Sequence, residues 1–234
     1  MSVKHPIISV TGSSGAGTTS VRQTFENIFR REHINAAFVE GDGFHRYTRS
    51  EMEMAITAAK KEGNDHLSHF SPEANLLEEL EDVFTSYGEY GSGRSRHYIH
   101  DDDEATRYST AIGTFTPWED LPRGTDLMFY EGLHGAVVTE TVNVARHADL
   151  KIGVVPVINL EWTQQLLRDN STRGYSQASA IDAIPTRMPD YVPSTSPQFP
   201  DPDTHHQHAP PVHTPDPSLS RLAAAPAAAP HHLP

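Results

Sequence analysis

Nine residues, Gly12-Ser13-Ser14-Gly15-Ala16-Gly17-Thr18-Thr19-Ser20, separate a β-rich run from a helical period, and their types point to phosphate chemistry. Glycine at 12, 15 and 17 lets the backbone curl so that successive N–H groups point inward. A helix opening at Thr18 adds the positive end of its dipole, which completes a cradle for the phosphates of a nucleotide. Thr19 stands where the hydroxyl of such a loop ligates Mg²⁺. The usual pattern has lysine just before that hydroxyl, and Thr18 occupies the place here. Charge for phosphoryl transfer must then come from elsewhere.

Other side chains could supply the remaining chemistry. Asp42 lies in Glu40-Gly41-Asp42-Gly43-Phe44-His45-Arg46 after a second β-rich run. A carboxylate at the carboxyl end of a parallel strand faces the crevice where α/β proteins bind ligands, and it could take the proton of an attacking hydroxyl. Gly-Asp-Gly also suits a plain Asx-turn, and spacing does not separate the two readings. His45 and Arg49 follow closely and could hold a sugar phosphate, or could simply be solvated. Glu131 ends the run Phe129-Tyr130-Glu131-Gly132, the position of an acid that holds Mg²⁺ directly or through water, or of one that simply marks the strand's exit. Arg168-Asp169-Asn170-Ser171-Thr172-Arg173-Gly174 suits a mobile lid carrying positive charge to the phosphoryl group, or the basic last turn of a helix. Asp101-Asp102-Asp103-Glu104, after His100, reads as a solvated loop rather than a metal cluster.

These residues need strands and helices to place them. Residues 7–11, 36–40, 127–130 and 150–158 read as strands of a mostly parallel, mixed sheet. Val21, Phe25, Ile28 and Phe29 form one face of a helix from Thr18. A second helix begins at Ser71-Pro72-Glu73, with Leu76, Leu77, Leu80, Val83 and Phe84 as its apolar stripe. A third is capped by Asn159. The stretch from Tyr87 to Phe115 has neither period and reads as a long functional connection. Strands alternating with helices imply an α/β fold with helices on both faces of the sheet.

Bulk composition narrows the partners. Lys and Arg total 18 against 31 Asp and Glu, a formal charge of -13, which disfavours nucleic acid and anionic membrane. With no cysteine there is neither disulfide nor thiolate chemistry. No apolar run approaches the ~20 residues that span a bilayer, and the first residues carry no signal-peptide core, so a cytoplasmic location is expected. Composition changes near Met188: residues 189–234 hold 12 of the 18 prolines and six histidines in no zinc-site spacing. Residues 1–188 are expected to form the folded unit and 189–234 a disordered Pro/His/Ala-rich tail.

With these segments in order, residues 2–188 resemble the bacterial phosphoribulokinases, the P-loop kinases that phosphorylate ribulose 5-phosphate. The likeness rests on Pro6–Thr18, Glu40–Arg46, Ser68–Phe70, Phe129–Val138 and Ala148–Trp162. It accounts for Thr18, because those kinases carry a hydroxyl residue there. It implies ATP and Mg²⁺ in a reaction forming ribulose 1,5-bisphosphate for the Calvin cycle. Asp42 would be the catalytic base, Glu131 the Mg²⁺ acid and Asp169 a second essential acid. His45, Arg49, His100, Arg168 and Arg173 would contact substrate or belong to the lid. Arg31 and Arg187 would serve allosteric activation by NADH, and the assembly would be a homo-octamer.

Two departures qualify the likeness. Gln165 replaces a lysine of the lid region, which predicts reduced turnover. The family also continues beyond residue 188 with further strands, so a reading-frame change in the tail is expected. A uridine-kinase-like enzyme and a catalytically impaired nucleotide-binding protein are the competing readings.

Overall fold

The computed structural model describes residues 4–13 and 16–155, together with the backbone of Thr204–His206. Strand β1 (Ile7–Gly12) leads through the glycine loop into helix α1 (Thr18–Arg31), and β2 (Ala36–Glu40) follows. A 3-10 turn, Gly41–Phe44, connects to α2 (Arg49–Lys61). After a second such turn, Pro72–Ala74, come α3 (Leu77–Tyr90), β3 (Arg94–Ser95), α4 (Asp102–Tyr108) and β4 (Glu119–Asp120). The rest is β5 (Leu127–Gly132), a 3-10 turn at Val144–His147, β6 (Leu150–Val154) and β7 (Thr204–His206).

Five strands form one sheet in the order β2-β5-β1-β6-β7, and every pair in it is parallel. β3 and β4 make a separate antiparallel ribbon. Alternation along β5 shows why helices cover both faces. Met128 and Tyr130 pack with Leu77, Leu80, Val83, Phe84 and Tyr87 of α3. Leu127 and Phe129 point the other way, into a cluster with Phe29, Phe25 and Val21 of α1. Phe129 lies at the centre of that second cluster, its ring 5.1 Å from Phe25, 5.7 Å from Phe38 and 5.9 Å from Phe29. Ile7 fastens the start of β1 by donating its N–H to Asp149 at 2.9 Å. The α/β class and the helix-covered parallel sheet agree with the sequence expectation.

Several local readings need correction. Ser71-Pro72-Glu73 opens only the short 3-10 turn, and α3 begins five residues later than Pro72, at Leu77. The Ser71 hydroxyl does not cap a helix; it donates to the His66 carbonyl and accepts from the Ser68 N–H. The stretch from Tyr87 to Phe115 is not one irregular connection, since it contains the end of α3, β3 and α4. Asp101–Glu104 is the first turn of α4, where the Asp101 carboxylate accepts from the Glu104 N–H at 2.9 Å. Acids there complement the helix dipole. Helix α2 was missed, although Thr48 and Glu51 form a full capping box and spell its start in the sequence.

β6 is described to Val154, and residues 156–158 of the expected strand lie outside the described residues. So does the helix expected from Asn159. Thr204–His206 pairs with β6, although it falls within the stretch whose composition reads as a tail.

Replacing Phe129 by Ala empties the middle of the α1 face and should cost about 3–5 kcal/mol. Urea unfolding of the two proteins measures the loss.

Candidate functional site

Because the strands are parallel, Gly12, Glu40 and Gly132 end at the same edge of the sheet. The loop after β1 passes over that edge, with Gly12, Ser13 and Ala16 buried. A Cβ on Gly12 would lie 2.7 Å from the Thr18 methyl and 3.0 Å from the Val154 carbonyl, so the close return of the chain demands glycine. Helix α1 has no acid in its first turn and two arginines, Arg30 and Arg31, in its last. No acid of the helix itself therefore neutralises its positive end at the loop. Ser14 and Gly15 lie outside the described residues, while Thr19 and Ser20 are exposed on the first turn.

The Thr18 hydroxyl donates to Glu131 Oε1 at 2.6 Å. Thr18, in the place of the usual lysine, thus joins the loop to the end of β5. Burial raises the Glu131 pKa above the ordinary glutamate value; the charges of Asp42 and Glu40 add to this, against Thr18 and Arg22. A half-buried acid crowded by two others fits a cation, and Glu131 with a threonine hydroxyl and nucleotide phosphates is a donor set suited to Mg²⁺. Among the described residues no three His, Asp or Glu side chains converge as a metal cage.

Glu40, at the end of β2, was not foreseen as a site residue. It is clasped by Arg22 of α1, which also pairs with Glu26, and accepts from His97 Nδ1 at 3.0 Å. The His97 ring stacks on Tyr108 with centroids 4.6 Å apart. Burial alone would raise the Glu40 pKa, but the bonds from His97 and Arg22 and their charges bring it down to about 2.

Two residues on, Asp42 sits in the 3-10 turn between two imidazoles. His100 Nε2 lies 3.1 Å from one carboxylate oxygen and His45 Nε2 3.4 Å from the other. The Asp42 side chain keeps 38% of its surface open, so a ligand can reach it. Burial acts to raise its pKa, and the hydrogen bonds and charges of His100 and His45 reverse that, holding it well below the ordinary carboxylate range. His45 is buried, with Nδ1 on Asn75 and its ring against His69. Buried His134 is pushed down to about 4 by burial and by the nearby His45. Arg49, the first residue of α2, reaches the His100 carbonyl at 3.4 Å.

Arg96 holds this turn in place. Its guanidinium donates to the Gly43 carbonyl at 2.7 Å and the His45 carbonyl at 2.8 Å, and it lies over the rings of Phe115 and Trp118. A Cβ at Gly43 would come within 2.0 Å of the Arg96 carbonyl. No motif in the sequence marked Arg96, because its partners are backbone atoms and rings distant along the chain.

The structure therefore gathers Gly12, Ser13, Ala16–Thr18, Asp42, His45, Arg49, His100 and Glu131 at one edge of the sheet. Arg31 is elsewhere: it is exposed at the far end of α1 and paired with Glu32. Gln165, Arg168, Asp169, Arg173 and Arg187 lie outside the described residues.

Glu40→Gln should reduce the acid sensitivity of the fold. A carboxyl whose folded pKa is lowered contributes stability that is full above its unfolded value near 4.5 and is lost as pH falls toward 2. The contribution is at most roughly 3 kcal/mol. Denaturant unfolding from pH 6 to 2 should show a shallower decline for the variant.

Comparison with known proteins agrees with this geometry. Residues 7–215 match the phosphoribulokinase / uridine kinase family, a match that runs past the composition change at Met188. The chain is 60% identical over 218 residues to the phosphoribulokinase of Nitrobacter vulgaris, covering 93% of this chain and 75% of that protein. It is 52% identical over 221 residues to the probable phosphoribulokinase of Escherichia coli K12, covering 94% and 76%. Among solved structures, phosphoribulokinase from Rhodobacter spheroides superposes with a TM-score of 0.77 at 51% identity, over 87% of this chain and 70% of that one. A putative fructose transport system kinase from Silicibacter, 12% identical, shares the fold with a TM-score of 0.61, over 87% of this chain and 90% of that one. The chain belongs to the phosphoribulokinase / uridine kinase family and is a phosphotransferase with an alcohol group as acceptor.

Proposed function

We propose that this kinase transfers the γ-phosphoryl group of ATP to ribulose 5-phosphate, forming ribulose 1,5-bisphosphate for the Calvin cycle. The observation that carries the proposal is the 52–60% identity, over more than nine tenths of the chain, to proteins named phosphoribulokinase. The phosphates of ATP lie in the loop from Gly12 to Ser20, against the bare positive end of α1. Glu131 and a threonine hydroxyl of the loop, Thr19 in the usual arrangement, would hold Mg²⁺, and the ion would supply positive charge for the phosphoryl group.

On this reading Asp42 accepts the proton of the attacking sugar hydroxyl. The carboxylate is ionised and partly exposed, two residues beyond β2 and beside the strand end that carries Glu131. His45, His100 and Arg49 gather around it, and His45 and Arg49 offer positive charge for the phosphate the acceptor already bears. Arg168, Asp169 and Arg173 complete the site as lid residues, and Gln165 in place of lysine lowers turnover. The reading extends to a cytoplasmic homo-octamer activated by NADH through Arg31 and Arg187. No helix among the described residues is long and apolar enough to cross a membrane.

The test is an ATP-dependent kinase assay with ribulose 5-phosphate and, separately, uridine as acceptor. Ribulose 5-phosphate should be consumed and uridine should not. Asp42→Ala should lower kcat by about 10²–10⁴-fold while nucleotide binding is retained. Turnover of uridine alone, or full activity in Asp42→Ala, would overturn the proposal.

A further inference from the structure

The protonation of His45 can be read from its neighbour Asn75. Asn75 is buried and extended between the 3-10 turn at Pro72 and helix α3. Its side-chain Nδ2 donates to the His69 carbonyl at 2.9 Å and to the Ser71 carbonyl at 2.8 Å. Both partners can only accept, so chemistry fixes which end of the amide is nitrogen. The amide oxygen therefore faces His45 Nδ1, at 2.8 Å. Oxygen of an amide accepts and does not donate, so Nδ1 carries a hydrogen.

The other ring nitrogen then decides the charge. In a neutral imidazole with its proton on Nδ1, Nε2 presents a lone pair. That lone pair would face Asp42 Oδ1 at 3.4 Å, with the second Asp42 oxygen already engaged by His100. Two acceptors facing each other repel, whereas a proton on Nε2 turns the contact into an ion pair. We propose that Asn75 is a positioning residue that commits His45 to the imidazolium form, giving the acceptor pocket a fixed positive charge beside Asp42 for an anionic, phosphate-bearing substrate. This goes beyond the proposed function and rests on it only for the identity of that substrate.

The surroundings agree with this assignment. Burial disfavours the cation, and Asp42 and Asn75 outweigh it, raising the His45 pKa. The remaining groups facing the ring are His69 at 4.9 Å, Tyr98 at 6.1 Å and the opposing charge of Arg96, which donates to the His45 carbonyl. His134, held neutral nearby, adds no positive charge. The arrangement repeats the logic of a histidine oriented by a third group. Here an amide and a carboxylate take opposite edges of one ring.

Nitrogen-resolved NMR of histidine-labelled full-length protein tests the assignment directly. At pH 7 the wild-type His45 ring should show both nitrogens protonated; a neutral ring with its proton on Nε2 would overturn the proposal. Asn75→Ala should move the His45 titration down by about one pH unit, because a hydrogen bond to the charged form is lost. An unchanged midpoint in the folded variant also overturns it. If Asn75→Ala does not fold, the wild-type spectrum decides alone. In a kinase assay the variant should raise KM for the sugar phosphate about tenfold at pH 8 and much less at pH 6, with kcat little changed. A KM rise equal at both pH values would mark a merely structural role and overturn the assignment. Should ribulose 5-phosphate prove not to be a substrate, the proposed function falls while the NMR result still stands or fails by itself.

Discussion

Three carboxylates of like charge share one edge of the sheet. Glu40 ends β2 with Asp42 two residues beyond it, Glu131 is next to last in β5, and these two strands are hydrogen-bonded neighbours with Glu40 opposite Glu131 in register. Left alone, such a group would repel itself and resist burial. Each acid is answered from a different part of the chain. Arg22 and His97 hold Glu40, His45 and His100 hold Asp42, and the Thr18 hydroxyl meets Glu131. Glu131 receives least, and it is the acid whose pKa rises. The imbalance leaves a place for external positive charge where a phosphoryl group would pass.

That demand explains parts of the fold that look unrelated. Arg22 stands one turn into α1 and ties the helix behind the phosphate loop to β2. His97 and His100 lie in the connection between β3 and α4, so this excursion from the main sheet delivers two of the neutralising rings. Arg96, between the ribbon and those rings, fastens the same connection to the turn bearing Asp42. One short stretch, Arg96–His100, thus serves Glu40, Asp42 and the backbone that follows Asp42.

Much of this was legible in the residues. The glycine loop, Asp42 and Glu131 stand at strand ends that apolar runs mark clearly, and strand periodicity located β1, β2 and β5 within two residues. What stayed hidden depends on distance along the chain. Glu40 looks like an ordinary strand terminus until Arg22 and His97 arrive from either side. Asn75 looks like a turn residue until its amide is seen between two carbonyls and a ring. Ser71-Pro72 misled because a first-turn signal does not state how long the turn continues. Asn75, extended and committed to side-chain bonds, separates that turn from α3.

The position of β1 has a consequence for how the molecule comes into being. This apolar strand is synthesised before both of its partners, β5 and β6, which lie more than a hundred residues later. At typical translation speeds of about 5–20 residues per second, β1 waits several seconds with both edges bare. During that interval Ile7, Ile8 and Val10 are open to chaperones and to neighbouring nascent chains. The strand that carries the phosphate loop thus waits through more than a hundred residues of synthesis before either of its edges is paired.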